Sequence, residues 1–88
     1  MKSTLVENKY DTKTWRLPNG DYHREDGPAV EWSGGDKYWY INGKFHREDG
    51  PAIEYASGYK EWYINGNIYT ESGHKYKIRS IKLKKLLQ

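Results

Sequence analysis

Apolar and polar residues alternate along this chain in short runs that recur. Lys37-Tyr38-Trp39-Tyr40-Ile41 is the clearest run. A period of two places Trp39 and Ile41 on one face of a strand and Tyr38 and Tyr40 on the other. Asn42-Gly43 follows, and then Lys44-Phe45-His46. Asn-Gly between apolar-rich flanks predicts a hairpin closed by a type I′ turn, because that turn needs positive φ at both central residues. The arrangement occurs two more times, with Trp15-Arg16-Leu17-Pro18 before Asn19-Gly20 and Glu61-Trp62-Tyr63-Ile64 before Asn65-Gly66. Trp15 and Leu17 share a face. Pro18 stands where the second run has Ile41, and its missing N–H predicts an edge position for this first strand.

The hairpins are linked by an identical stretch. His-Arg-Glu-Asp-Gly-Pro-Ala spans His23 to Ala29 and again His46 to Ala52, an offset of 23 residues. Its Asp-Gly-Pro predicts a corner. Asp accepts a local backbone N–H, Gly supplies unusual φ, and Pro fixes φ for the extended segment that follows. Ala29-Val30-Glu31-Trp32 and Ala52-Ile53-Glu54-Tyr55 are those segments. The repeats run over about 14–36, 37–59 and 60–77. The third decays after Gly66: Tyr69, Thr70, Ser72 and His74 replace the His, Arg, Asp and Pro of the motif. An atypical terminal repeat is expected to cap a stack.

The two ends carry less pattern. In residues 1–13, Leu5 and Val6 fit a short strand, and Ser3 fits a helix cap. In the basic segment 75–88, Tyr76 and Ile78 alternate with Lys77 and Arg79, which predicts a last strand to about Arg79. From Ser80 the Lys and Leu content predicts a short helix with Ser80 as N-cap and Lys84 and Lys85 at its C-terminal end. So short a helix needs to dock to be stable.

Composition narrows the class. The chain has 88 residues, 35% of them hydrophobic, with four Trp, nine Tyr and one Phe. One small domain, residues 1–88, is expected, with an aromatic core in place of an aliphatic one. Small domains bury a smaller share of their surface, so dimerisation or a partner would add burial. There is no cysteine, hence no disulfide and no thiolate chemistry. No run approaches the length of a membrane span, and the N-terminus lacks the apolar run of a signal peptide. A soluble, cytoplasmic protein is the expectation. Residues 1–74 carry a net −3 and residues 75–88 a net +6, so a mildly acidic body bears a basic tail.

The Trp-Tyr-Ile-Asn-Gly hairpin with a second Gly-marked turn resembles a variant of the MORN repeat, over roughly residues 15–77. The resemblance is good in repeat two, partial in repeat one and broken in repeat three. The His-Arg-Glu-Asp-Gly-Pro-Ala form departs from the glycine-richer consensus and looks more like variant repeats in small bacterial and phage proteins. The resemblance implies stacked hairpins in one elongated antiparallel sheet, acting as a scaffold or interaction module.

Three sets of residues are candidates for chemistry. His23-Arg24-Glu25-Asp26 and His46-Arg47-Glu48-Asp49 hold the residue types of acid–base or metal sites. Two equal copies point instead to a structural corner, because a catalytic site needs one distinct constellation. Trp15, Trp32, Trp39 and Trp62 are expected in the core. Tyr38, Tyr40 and Tyr63 lie on the opposite strand face, and with neighbouring Lys37 and Lys60 (and Lys44) they form a candidate partner-binding surface. Lys75, Lys77, Arg79, Lys82, Lys84 and Lys85 suit phosphate or an acidic partner. Ile78, Ile81, Leu83, Leu86 and Leu87 would give the tail an apolar side. A job covering the sheet favours that over a membrane surface. No phosphate loop, nucleophile motif, cofactor site or metal site stands out.

The sequence therefore predicts an all-β antiparallel meander of repeated hairpins with a short C-terminal helix, non-enzymatic and without cofactors. The expected function is protein–protein interaction, of the kind a small phage or bacterial inhibitor with a counter-defence or immunity role would use. A nucleic-acid binder using the basic tail and exposed tyrosines is the alternative. A homodimer is compatible with both.

Overall fold

A computed structural model describes residues 2–7 and 11–87. Met1, the stretch 8–10 and Gln88, which ends the predicted basic segment, lie outside the described residues. The strands are β1 (Thr4–Glu7), β2 (Lys13–Arg16), β3 (Val30–Glu31), β4 (Lys37–Tyr38), β5 (Tyr40–Ile41), β6 (Lys44–Phe45), β7 (Ile53–Glu54), β8 (Lys60–Ile64) and β9 (Asn67–Tyr69). Among the described residues there is one helix, α1 (Glu71–Leu86), on the C-terminal side of the strands. Seven strands form one sheet in the order β1-β2-β3-β4-β7-β8-β9, and β5 and β6 pair as a separate hairpin. Every pairing is antiparallel.

The strand breaks have one cause. Residues 37–41 run as a single line, and their neighbour on one side is interrupted. His46 donates its N–H to the Trp39 carbonyl at 3.1 Å, and Trp39 donates its own to the Ala52 carbonyl at 2.7 Å. His46 and Ala52 thus meet the same residue, and the chain between them loops out like an outsized bulge. The far side of this interrupted strand pairs onward, with Arg47 N–H on the Tyr63 carbonyl and Ala52 N–H on the Glu61 carbonyl. Repeat one behaves alike: His23 bonds the Trp15 carbonyl and Trp15 bonds the Ala29 carbonyl. Each repeat therefore adds one long strand and one interrupted strand.

The register sorts the two faces. Residues directly opposite each other share a face, which lines up Val30, Tyr38 and Ile53. The other face carries Glu7, Lys13, Glu31, Lys37, Glu54 and Lys60 as opposite partners in sequence. Their signs alternate across the sheet, and each such pair is worth roughly 0.2–1 kcal/mol. A slip of one residue would break the whole ladder. Among the described residues, the buried apolar ones are Leu17, Ala29, Val30, Ala52, Ile53, Ile64 and Ile78. No tryptophan is among them, which corrects the expectation of an indole core. Trp15 and Trp39 are half-buried beneath arginine guanidinium groups, and Trp32 is 45% exposed.

Three further expectations are corrected. First, β2 is not an edge: β1 pairs along its free side, so Leu5 and Val6 are strand residues and Ser3 caps nothing. Second, Asn19-Gly20 is not a type I′ turn. Asn42 and Asn65 have φ of 51° and 50°, whereas near Pro18 only Gly20 is positive, at 95°. Proline's fixed negative φ makes Pro18-Asn19 the centre of the turn, with Gly20 N–H bonding the Leu17 carbonyl at 2.9 Å. The arm gains one residue, so Trp15 matches Trp39 and Leu17 matches Ile41. Third, the predicted last strand and a helix beginning at Ser80 are both replaced by α1. Thr70 is the N-cap, accepting from Gly73 N–H at 3.0 Å, and Glu71 sits in the first turn. Buried His74 and Ile78 and half-buried Ile81 recur at helical spacing.

Candidate functional site

The duplicated corner is explained residue by residue. His23 accepts the Asn42 N–H on Nδ1 at 2.9 Å, and His46 accepts the Asn65 N–H on Nδ1 at 3.0 Å. Each imidazole thus ties its repeat to the turn of the next. Nε2 faces Glu25 at 3.2 Å and Glu48 at 3.4 Å respectively. Arg24 lies over the Trp15 ring at 3.8 Å, and Arg47 over Trp39 at 3.9 Å. Arg24 donates Nε to Asp26 and Nη1 to the Pro28 carbonyl and Glu31, at 2.9–3.1 Å. Arg47 repeats this with Asp49, Pro51 and Glu54 at 2.8–3.1 Å.

Magnitudes rank these contacts. Asp26 and Asp49 are 87% and 85% exposed, and exposed ion pairs contribute about 0–1 kcal/mol. Glu31 and Glu54 are 33% and 35% exposed, so their bonds to arginine are screened less. The stack on tryptophan and the proline carbonyl complete a partly buried socket. The Asp26 carboxyl is held below the usual carboxylate range by the hydrogen bond from Arg24 and then by its charge. Asp26 and Asp49 each accept the arginine Nε, a partner the motif did not predict. Gly27 and Gly50 also differ from expectation, because neither has positive φ. A Cβ on either would lie 2.9 Å from the arginine Cζ, so glycine is required to let the guanidinium lie flat.

Both corners line one open groove of about 830 Å³, floored by Trp39 and Ile41. His23 and His46 therefore share a cavity wall. Both nitrogens of each ring already have partners, so the geometry uses them as struts. Among the described residues, no group of three or more His, Cys, Asp or Glu is arranged to hold a metal ion.

The opposite face is aromatic. Tyr40 stacks on Phe45 at 4.4 Å, Phe45 meets Tyr63 at 5.0 Å, and Tyr22 meets Tyr40 at 5.1 Å. Tyr38 touches Phe45, Trp32 and Tyr55, and Tyr55 touches Tyr59. Eight rings thus form one connected patch. Its members are half-buried apart from exposed Trp32 and Tyr59. Burial, and then Tyr22 and Tyr38, push the Tyr40 hydroxyl up; burial, and then the Tyr63 hydrogen bond to Glu61, do the same for Tyr63.

The structure brings Tyr38, Tyr40 and Tyr63 together and separates Lys37 and Lys60 from them. Those lysines belong to the charge ladder on the other face, because neighbours in a strand point oppositely. Phe45, Tyr22, Tyr55, Tyr59 and Trp32 complete the patch. Phe45 links three of the tyrosines, and its return-strand position directly opposite Tyr40 was the available signal. The basic set lies along α1. Lys75, Lys77, Arg79, Lys82, Lys84 and Lys85 are all exposed. Leu83, Leu86 and Leu87 are exposed too, at 54%, 81% and 87%, so they do not cover the sheet as expected. No described helix is long and apolar enough to cross a membrane.

Comparison with known proteins gives no match to a family model, a curated protein or a solved structure.

Proposed function

We propose that this chain is a protein-binding module on a MORN-like variant repeat scaffold, with the aromatic sheet face as its working surface. One observation carries the reading: eight connected, partly exposed rings on one face of a thin sheet, centred on Tyr38, Tyr40, Phe45 and Tyr63. Tyrosine and tryptophan supply large contact area with a polar edge, as binding surfaces use them. Trp32 and Tyr59 are exposed at its rim, and contiguous apolar surface left open to solvent marks interaction sites. The role that fits is a small phage or bacterial inhibitor or modulator of another protein, of counter-defence or immunity type. The test is affinity capture from a bacterial lysate with the wild-type chain and with Tyr40→Ala/Tyr63→Ala. A partner held by the first and lost by the second supports the reading; equal retention, or no partner, sinks it.

The exposed cations of α1 favour a second reading, nucleic-acid binding. Phosphate contacts weaken linearly in log salt. If RNA and DNA fail to bind at low ionic strength, this second reading is gone.

A further inference from the structure

The helix has two apolar sides. His74, Ile78 and Ile81 pack inward, and His74 Nε2 bonds the Arg47 carbonyl at 2.6 Å. Tyr76, Leu83 and Leu87 follow at 7- and 4-residue steps on the opposite side, and all are exposed. At 100° per residue this outer stripe has Lys75 and Lys82 on one flank and Lys77 and Lys84 on the other. Among the described residues none covers it, and Tyr76, Leu83 and Leu87 stand 77%, 54% and 87% exposed.

The corner groove is its counterpart in charge and spacing. Its lining sets four carboxylates, Glu25, Asp26, Glu48 and Asp49, against two guanidinium groups, Arg24 and Arg47. The floor between the corners is apolar, Trp39 and Ile41. Successive corners are two strands apart, about 9.5 Å. Lys75 and Lys82, like Lys77 and Lys84, are seven residues apart, about 10.5 Å along a helix. A helix laid along the row of corners sets one lysine by each acidic corner and the Tyr76–Leu83 stripe over the floor.

We propose that the outer face of α1 docks in the corner groove of a second copy of this chain. Each copy carries one helix and one groove, so a two-fold pair makes the contact twice and closes on itself. Two such helices would not pair with each other, since six cations face six. The slab is thin, 17 Å in its shortest extent, and its core is small; a second copy supplies apolar burial that a chain of this size lacks. The proposal uses the face opposite the aromatic patch and stands or falls apart from the function proposed above.

Sedimentation velocity of the full chain tests it. The wild type is expected to dimerise at low salt and to dissociate as salt rises. Lys75→Glu/Lys82→Glu in the helix, and separately Glu25→Lys/Glu48→Lys in the groove, are each expected to weaken the dimer by at least about tenfold. Combining all four in one chain restores complementarity and is expected to restore the dimer, which separates lost contact from lost fold. Circular dichroism checks each variant. Leu83→Asp weakens the dimer without altering the groove. A monomer at every concentration overturns the proposal, as does a dimer indifferent to groove reversal. So does a monomer whose helix binds nucleic acid, anionic vesicles or another protein.

Discussion

At the scale of single residues, the repeated motif is a fitted socket for arginine. The glycine makes the sharpest prediction. The guanidinium end of a free arginine would simply move away from a new methyl group. Here Arg47 is held by Asp49, the Pro51 carbonyl, Glu54 and the Trp39 ring, so moving it breaks those contacts. Gly50→Ala is expected to cost about 1–3 kcal/mol, the range for overpacking. Gly34→Ala, where a Cβ meets nothing within 4 Å, is expected to stay within about 0.5 kcal/mol of wild type. Urea melts of the two variants compare them directly. The histidines give a second prediction. Because Nδ1 accepts a backbone N–H in both copies, a neutral ring must carry its proton on Nε2. Nitrogen-15 spectra at neutral-to-alkaline pH are expected to show bare Nδ1 and protonated Nε2 for His23 and His46. The opposite tautomer in either would remove the strut between repeats.

At the scale of elements, the chain was legible where the signal was local and periodic. Alternation in Lys37–Ile41 and Asn-Gly after it gave the hairpins and the Trp/Tyr face division, and the motif gave the corners. Alternation over Tyr76–Arg79 does not separate strand from helix, because four residues fit both periods. The decisive signal lay upstream, in Thr70 followed by Gly73, and in the longer spacing of His74, Ile78 and Ile81. The first turn departs from the other two because Pro18 precedes its Asn-Gly, and proline's fixed negative φ shifts the turn centre to Pro18-Asn19. The socket was hidden because its partners, Trp39, Arg47 and Glu54, come together only when the interrupted strand is paired. The aromatic patch was half visible: alternation gave Tyr38 and Tyr40, but only the register showed that Lys37 and Lys60 belong elsewhere. Thr70 tests the corrected helix. Thr70→Ala removes the bond to Gly73 N–H and is expected to cost about 1 kcal/mol. Loss of helical ellipticity during thermal melting is the measurement, with Ser80→Ala, an interior position, changing it little.

At the scale of the molecule, the bonds that join repeats decide whether the chain is a stack or merely a sheet. His23 reaches Asn42, and His46 reaches Asn65. Gly43 N–H bonds the Tyr22 carbonyl, and Gly66 N–H bonds the Phe45 carbonyl. Asp36 accepts the Ala56 N–H at 2.7 Å at the far end. These contacts link each unit to its neighbour, and most of them recur, which is the condition for stability to grow with repeat number. The unit is 37–59, because Lys60 repeats Lys37 in the charge ladder. A second copy of 37–59 inserted after Tyr59 keeps the Glu54-to-lysine pairing and meets Glu61 and Trp62 in their present register. It also gains one more arginine socket and one more histidine strut. The inserted protein is expected to melt in one cooperative transition, at a temperature higher by about 5 °C or more. Deleting 37–59 abuts the first and third units and is expected to lower the transition while leaving a folded chain. Circular dichroism melts of the three lengths make the comparison. Two separate transitions, or a longer chain that melts lower, would mean that the terminal helix and β1 hold the fold and that the repeats do not reinforce one another.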